Sequence, residues 1–134
     1  MTDAFVSYSR KDKTFTRKLV DGLQQSGKSV WIDWENIPLT ADWMAEIEAG
    51  IEAADNFIFV ISPDSVKSEV CLQEIQYADK HNKRFVPILF RDLEDTAQNH
   101  NLHPAISSHN WIFFREEDVF EESEKALISI LETD

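Results

Sequence analysis

The stretch that decides the fold is Asn56-Phe57-Ile58-Phe59-Val60-Ile61-Ser62, which is apolar at nearly every position. A strand with one solvent-exposed face alternates polar and apolar residues. A continuous apolar run is instead typical of a strand buried on both faces, as in a parallel sheet covered by helices. The sequence therefore predicts that residues 56–62 form a central strand of an α/β domain.

Strand-like and helix-like segments alternate on both sides of this central strand. The spacing of apolar residues predicts four more strands, at residues 4–8, 29–33, 84–90 and 110–114. The same criterion predicts helices at residues 11–26, 42–54, 65–81 and 118–131, with a further helical turn near Pro104. This alternation predicts a flavodoxin-like three-layer α/β sandwich, with a five-stranded parallel sheet in the order 2-1-3-4-5.

Composition limits the kinds of partner that this chain binds. Its 134 residues suit one domain, spanning residues 1–134, which is also compatible with the N-terminal domain of a longer protein. A net charge of -12 repels phosphate backbones and anionic lipids, so neither nucleic acid nor membrane is an expected partner. No signal peptide or membrane-spanning run is visible, and the single cysteine excludes an internal disulfide, so we expect a cytoplasmic location.

The predicted topology indicates where a ligand would bind. In a sheet of this order, ligands bind beyond the carboxyl ends of the strands, near the switch point between strands 1 and 3. Residues 7–10, 33–35 and 62–65 follow three neighbouring strands, and the last of these segments leads to Glu74. On a helical wheel Glu74 lies about 60° from Cys71, at the edge of the predicted sheet-facing side. Glu74 is therefore either a site carboxylate bordering this crevice or an edge glutamate that turns into water.

Several common sites do not match the sequence. The turn after strand 1 has no glycine, which excludes a Rossmann dinucleotide site and a P-loop. A phosphate-accepting receiver domain is also excluded, because acidic residues do not follow strand 1 directly and no lysine follows strand 5. His100 and His103 are weak candidates for a metal pair, and no metal site is predicted. Cys71 fits a small buried hydrophobe better than a nucleophile, because no histidine is near it in sequence.

Three motifs, in order and at suitable spacing, resemble those of one known family. They are Asp3-Ala4-Phe5-Val6-Ser7-Tyr8-Ser9, then Val30-Trp31-Ile32-Asp33-Trp34-Glu35-Asn36-Ile37-Pro38, then Ser62-Pro63-Asp64-Ser65 followed by Ser68-x-x-Cys71-x-x-Glu74. Over essentially the whole chain, the sequence resembles bacterial Toll/interleukin-1 receptor (TIR) domains of the type that cleaves NAD+.

The resemblance implies a set of site residues. Glu74 would be catalytic, and the substrate-binding positions would be Tyr8, Ser9, Arg10, Asp33, Trp34, Glu35, Ser68 and Cys71. NAD+ would be the substrate, and no cofactor would be needed. The Arg10 guanidinium could bind the diphosphate of a nucleotide. An exposed arginine at the start of a helix with no ligand is an equally good interpretation. Trp34 suits stacking on a ring and equally suits covering the edge of the sheet.

The resemblance also implies self-association, for which the apolar loop Trp34-Glu35-Asn36-Ile37-Pro38-Leu39-Thr40 is the expected contact. The expected function is an NAD+ glycohydrolase of signalling or defence. It would give nicotinamide and linear or cyclic ADP-ribose and would be activated by self-association. The alternative is a non-catalytic TIR–TIR scaffold, and a small nucleotide-binding regulator is a weaker third. One departure concerns the product: Val70 stands where many related enzymes carry a tryptophan.

Overall fold

A five-stranded parallel sheet forms the centre of the computed structural model, which describes residues 2–32, 42–93 and 102–133. Its order is β2-β1-β3-β4-β5, which confirms the predicted topology. The strands are β1 (Thr2–Ser7), β2 (Val30–Trp31), β3 (Ala54–Ile61), β4 (Arg84–Leu89) and β5 (Ile112–Phe113).

Helices follow the strands, as the alternating sequence pattern predicts. They are α1 (Lys13–Gln25), α2 (Trp43–Ala53), α3 (Glu69–Lys80), α4 (Pro104–Ser107) and α5 (Phe120–Glu132). Short 3-10 helices, Arg10–Asp12 and Ser65–Lys67, precede α1 and α3. Each lies just beyond the carboxyl end of a strand, so both form part of the edge where the site was expected.

Two hydrophobic cores cover the two faces of the sheet. On one face, Phe5 and Phe57 pack with apolar residues of α2 and α3. On the other face, Val6 and Ile58 pack with Leu19 of α1 and with residues of α5. The side chains of β3 alternate between the two cores from Phe57 to Val60 and are all buried. This double burial confirms that the continuous apolar run is the central strand of a covered parallel sheet.

The prediction of one helix over residues 65–81 was wrong at its start. The backbone of Ser68 is extended, with φ -80° and ψ 123°, and separates the 3-10 helix Ser65–Lys67 from α3. The Ser68 side chain accepts a hydrogen bond from the backbone N–H of Cys71, which is the geometry of a helix N-cap. Of the predicted strands at 29–33 and 110–114, the described residues pair only at Val30–Trp31 and Ile112–Phe113, and each strand forms an edge of the sheet with one neighbour.

Candidate active site at the carboxyl edge of the sheet

Glu74 is buried where the start of α3 meets the end of β1. The residue is 8% exposed, so its carboxylate does not turn into water as an ordinary edge glutamate would. The Oγ of Ser7, the last residue of β1, donates a hydrogen bond of 2.6 Å to Glu74 Oε1. Ser7 itself is 1% exposed. The structure thus holds an acidic side chain beneath the edge of the sheet through a contact between residues 67 positions apart.

Ser68 and Cys71 lie on the same first turns of α3 as Glu74. Ser68 caps the helix, and Cys71 is 2% exposed and packs in the core between α2, α3 and the sheet. The structure therefore brings together three of the predicted site residues, Ser68, Cys71 and Glu74.

The Cys71 thiol is held in its neutral form. Burial raises its pKa to about 11, and the negative charge of Glu74 acts in the same direction. A nucleophilic cysteine requires the opposite shift, towards a thiolate at neutral pH. The site geometry therefore favours the interpretation of Cys71 as a small packing residue beside Glu74.

A second buried carboxylate, Asp12, lies at the same edge and is satisfied by polar partners. Asp12 is 3% exposed. Its Oδ2 accepts a hydrogen bond of 2.5 Å from Ser62, and its Oδ1 lies 2.8 Å from the Arg91 guanidinium. Arg91 also binds Asp64 at 2.6 Å, and this hydrogen bond holds the pKa of the Asp64 carboxyl below its usual value. The network joins the segments that follow β1, β3 and β4, and so holds these segments in place around the site.

The three predicted site residues that follow β1 have different surroundings. Tyr8 is partly buried and packs with the core that contains Val6 and α1, on the opposite face from Glu74. Ser9 is the N-cap of the 3-10 helix Arg10–Asp12, since its side chain accepts from the Lys11 backbone N–H at 3.3 Å. Arg10 is exposed at the start of that helix. Asp33, Trp34 and Glu35, together with the rest of the 34–40 loop, lie outside the described residues.

The sequence places residues 7–10 at the expected crevice, but Ser7 was not among the predicted site residues. Side chains of a strand alternate between faces, so Ser7 shares the side of Phe5, while Val6 and Tyr8 share the other side. Because Phe5 belongs to the core that also contains Cys71, this parity is the signal that could have directed Ser7 towards α3. Asp12 carried no comparable local signal, because its partners lie 50 and 79 positions away.

In the described part of the chain, no group of three or more metal-ligating side chains is arranged to hold a metal ion. His103, one of the two histidines considered for a metal pair, accepts a hydrogen bond from the Ala105 backbone N–H at 3.1 Å and so caps α4. His100 lies outside the described residues. Among the described helices, none is long and apolar enough to cross a membrane.

The family model described as "TIR domain" matches residues 4–128, which include β2 to β5, most of β1 and the Glu74 segment. The chain belongs to the TIR domain family. The TIR domain of the Toll-related receptor TRR-2 from Hydra magnipapillata has the same fold, with a TM-score of 0.79 and 21% identity over 99% of this chain and 100% of that one.

Two further proteins similar to this TIR domain are a probable synthase and a chain of a TIR domain heterodimer. A protein of Methanobrevibacter olleyae named "Probable 2' cyclic ADP-D-ribose synthase TcpO" is 34% identical over 68 residues. That match covers 50% of this TIR domain and 20% of the relative's length. The RPS4 and RRS1 TIR domain heterodimer contains a similar chain, with a TM-score of 0.67 and 16% identity over 96% of this domain and 93% of that chain.

Proposed function

We propose that this TIR domain is an NAD+ glycohydrolase with Glu74 as its catalytic residue. The observation that carries the proposal is the buried Glu74 carboxylate, hydrogen-bonded to Ser7 at the carboxyl edge of the sheet. Ligand sites of open α/β sheets lie at this edge, next to the switch point between β1 and β3. The similarity to a probable cyclic ADP-ribose synthase supports NAD+ as the substrate.

The proposed reaction suits a single carboxylate. The bond between the ribose C1′ and the nicotinamide nitrogen breaks, and the nitrogen keeps the electron pair and leaves as neutral nicotinamide. The ribose then carries oxocarbenium character, as in glycoside hydrolysis. An anionic Glu74 stabilises this positive charge as it develops. Water adds at C1′ and releases a proton to give ADP-ribose. Alternatively, a nucleophile in the adenosine half of the same molecule, a ring nitrogen or a ribose hydroxyl, adds at C1′ and a proton is released to give a cyclic product.

The same proposal gives roles to the other predicted site residues. Ser68 caps the helix that carries Glu74, and Cys71 supplies a neutral wall beside it. Ser9, Arg10, Asp33, Trp34 and Glu35 would line the substrate cleft beyond the strand ends. Tyr8, which packs on the opposite face of the sheet from Glu74, would border that cleft from the far side of β1. No cofactor or metal would take part. A cytoplasmic location stays a prediction from the sequence.

We further propose that self-association, through the 34–40 loop, builds the active form of this enzyme in signalling or bacterial defence. The heterodimer formed by the similar RPS4 and RRS1 domains supports association between TIR domains. The competing function is a scaffold that uses the same contacts and carries out no chemistry.

The test is nicotinamide release from NAD+ by the native protein and by two glutamate variants of α3. Glu74→Gln removes the charge and keeps the size of the side chain, so we expect kcat to fall by at least about 100-fold. Glu69→Gln makes the same change at the exposed first residue of α3 and should keep the native rate. Equal rates for Glu74→Gln and the native protein would contradict the assignment. No release by concentrated native protein would favour the scaffold.

A further inference from the structure

The hydrogen bond between Ser7 and Glu74 has the geometry of a charge-assisted contact. An O–H donor to a carboxylate typically lies 2.5–2.7 Å away, and the observed distance is 2.6 Å. Both residues are buried, so little water competes for either group. A hydrogen bond to the ionised form of an acid favours that form, which opposes the effect of burial on a carboxylate.

The donor is attached to a rigid part of the molecule. β1 lies between β2 and β3, and Ser7 pairs in register with Phe59 of β3. A serine hydroxyl is one rotatable bond from this backbone, whereas a glutamate carboxylate lies beyond three. The contact therefore restrains the more flexible group through the more rigid one, and it does so at the edge where the proposed substrate binds.

Among the described residues, titratable and charged side chains from three elements lie near this contact. Cys71, on the same helix as Glu74, has a pKa near 11 and stays neutral across the working range. Asp12, from the 3-10 helix after β1, acts electrostatically on the same thiol. Asp12 is paired with Arg91, which follows β4. The Ser7 hydroxyl is thus an uncharged donor to Glu74, beside a neutral thiol and an Asp12–Arg91 ion pair.

We propose that Ser7 is a positioning residue, whose hydroxyl keeps Glu74 ionised and aimed at the reacting ribose. The inference rests on the proposed NAD+ cleavage and names a second residue of that site. A carboxylate fixed before the substrate arrives has no reorganisation to complete as positive charge develops. Misplacement of such a group by about 1 Å costs roughly 100-fold in rate.

The first experiment compares kcat, KM and the pH profile for native protein, Ser7→Ala and Ser7→Thr. Ser7→Ala removes the donor, so kcat should fall about 10- to 100-fold with KM nearly unchanged. The acidic limb of the profile should move to higher pH, because the ionised carboxylate loses a hydrogen bond. Ser7→Thr keeps the hydroxyl and should restore most of the rate. If Ser7→Ala fails to fold, Ser7→Cys tests the same point with a near-isosteric, weaker donor.

A matched control separates positioning from simple stability. Thr16 is also fully buried, and its hydroxyl donates to the Asp12 carbonyl at 2.9 Å. Thr16→Val deletes that hydroxyl without changing the shape of the side chain. Thr16→Val should lower the melting temperature but leave the acidic limb of the pH–activity profile unchanged. If Ser7→Ala behaves like Thr16→Val, the positioning proposal is overturned.

The second experiment does not depend on activity. In protein labelled with 13C-glutamate, the Glu74 carboxyl signal is assigned by its loss in Glu74→Gln and followed as pH changes. In Ser7→Ala its titration midpoint should lie about one pH unit higher than in the native protein. An unmoved midpoint overturns the proposal whether or not NAD+ is cleaved. A native protein that releases no nicotinamide overturns the proposed function alone, and the midpoint then decides whether Ser7 controls Glu74.

Discussion

At the scale of single residues, Glu74 carries a carboxylate that has lost most of its contact with water. Burying an ionised group is costly unless hydrogen bonds compensate for the lost hydration. The Ser7 hydroxyl supplies one such bond. The helical wheel predicted the edge position of Glu74 and left open whether it faced water. Its burial could not be predicted, because it depends on how closely α3 approaches β1.

The product formed at this site is expected to depend on Val70, which lies one turn before Glu74 and is 40% exposed. Valine offers no flat surface on which a base could stack, and such aromatic contacts are worth roughly 0.5–1.5 kcal/mol. Cyclisation requires the adenine to be held near the ribose carbon. We therefore expect mainly linear ADP-ribose from the native protein and a larger cyclic or base-exchanged share from Val70→Trp, measured by chromatography of the products.

A suitable control for Val70→Trp is Leu72→Trp. Leu72 is 43% exposed on the same helix, but it lies about 160° around the helix from Glu74. The control adds the same ring to the surface, away from the site, and should keep the native product ratio. A dominant cyclic product from the native protein would refute the prediction.

At the scale of elements, two glycines mark where helices approach their neighbours most closely. A methyl group at Gly50 of α2 would lie 2.7 Å from an atom of the Trp31 indole, which belongs to β2. A methyl group at Gly22 of α1 would meet the Glu124 carboxylate of α5 instead. An indole ring packed against the core cannot move easily, whereas the end of a glutamate side chain can.

Alanine substitution should therefore have opposite effects at the two glycines. Gly50→Ala should lower the free energy of unfolding by about 1–3 kcal/mol through overpacking against Trp31. Gly22→Ala should leave stability unchanged or raise it by up to about 1 kcal/mol, because alanine favours helix. Denaturant unfolding of both variants measures the difference. Equal destabilisation would show that the α1–α5 contact is as rigid as the α2–β2 contact.

The displaced Glu124 side chain explains why Gly22→Ala is expected to be tolerated. Burial raises the pKa of Glu124, and its Oε2 has no hydrogen-bond partner among the described residues. A carboxylate pushed towards solvent regains hydration, which offsets part of the cost of the rearrangement.

At the scale of the whole molecule, a net charge of -12 opposes association between copies. The proposed contact, the 34–40 loop, contains Trp34, Ile37 and Leu39, so its apolar attraction must overcome this repulsion. Salt screens surface charges over about 10 Å at 0.1 M. Ionic strength and protein concentration should therefore both control the assembled fraction.

We therefore expect activity per chain to rise with protein concentration. Added salt should lower the protein concentration at which this rise begins. The measurement is nicotinamide release across a wide dilution series at two ionic strengths, with light scattering on the same samples. Replacing Ile37 by Asp should weaken both assembly and activity. Specific activity that stays constant over the series would argue against control by assembly.

Local sequence patterns are enough to predict the alternation of strands and helices, the burial of the central strand on both faces, and the position of Glu74 at the edge of its helix's sheet-facing side. These features follow from local periodicity, since a run of apolar residues or a helical spacing is complete within one segment. The contacts of Ser7 with Glu74 and of Arg91 with Asp12, across 67 and 79 positions of chain, are visible in the folded structure alone. Such pairs depend on how each helix is rotated and positioned against the sheet, and packing of the whole core sets that geometry.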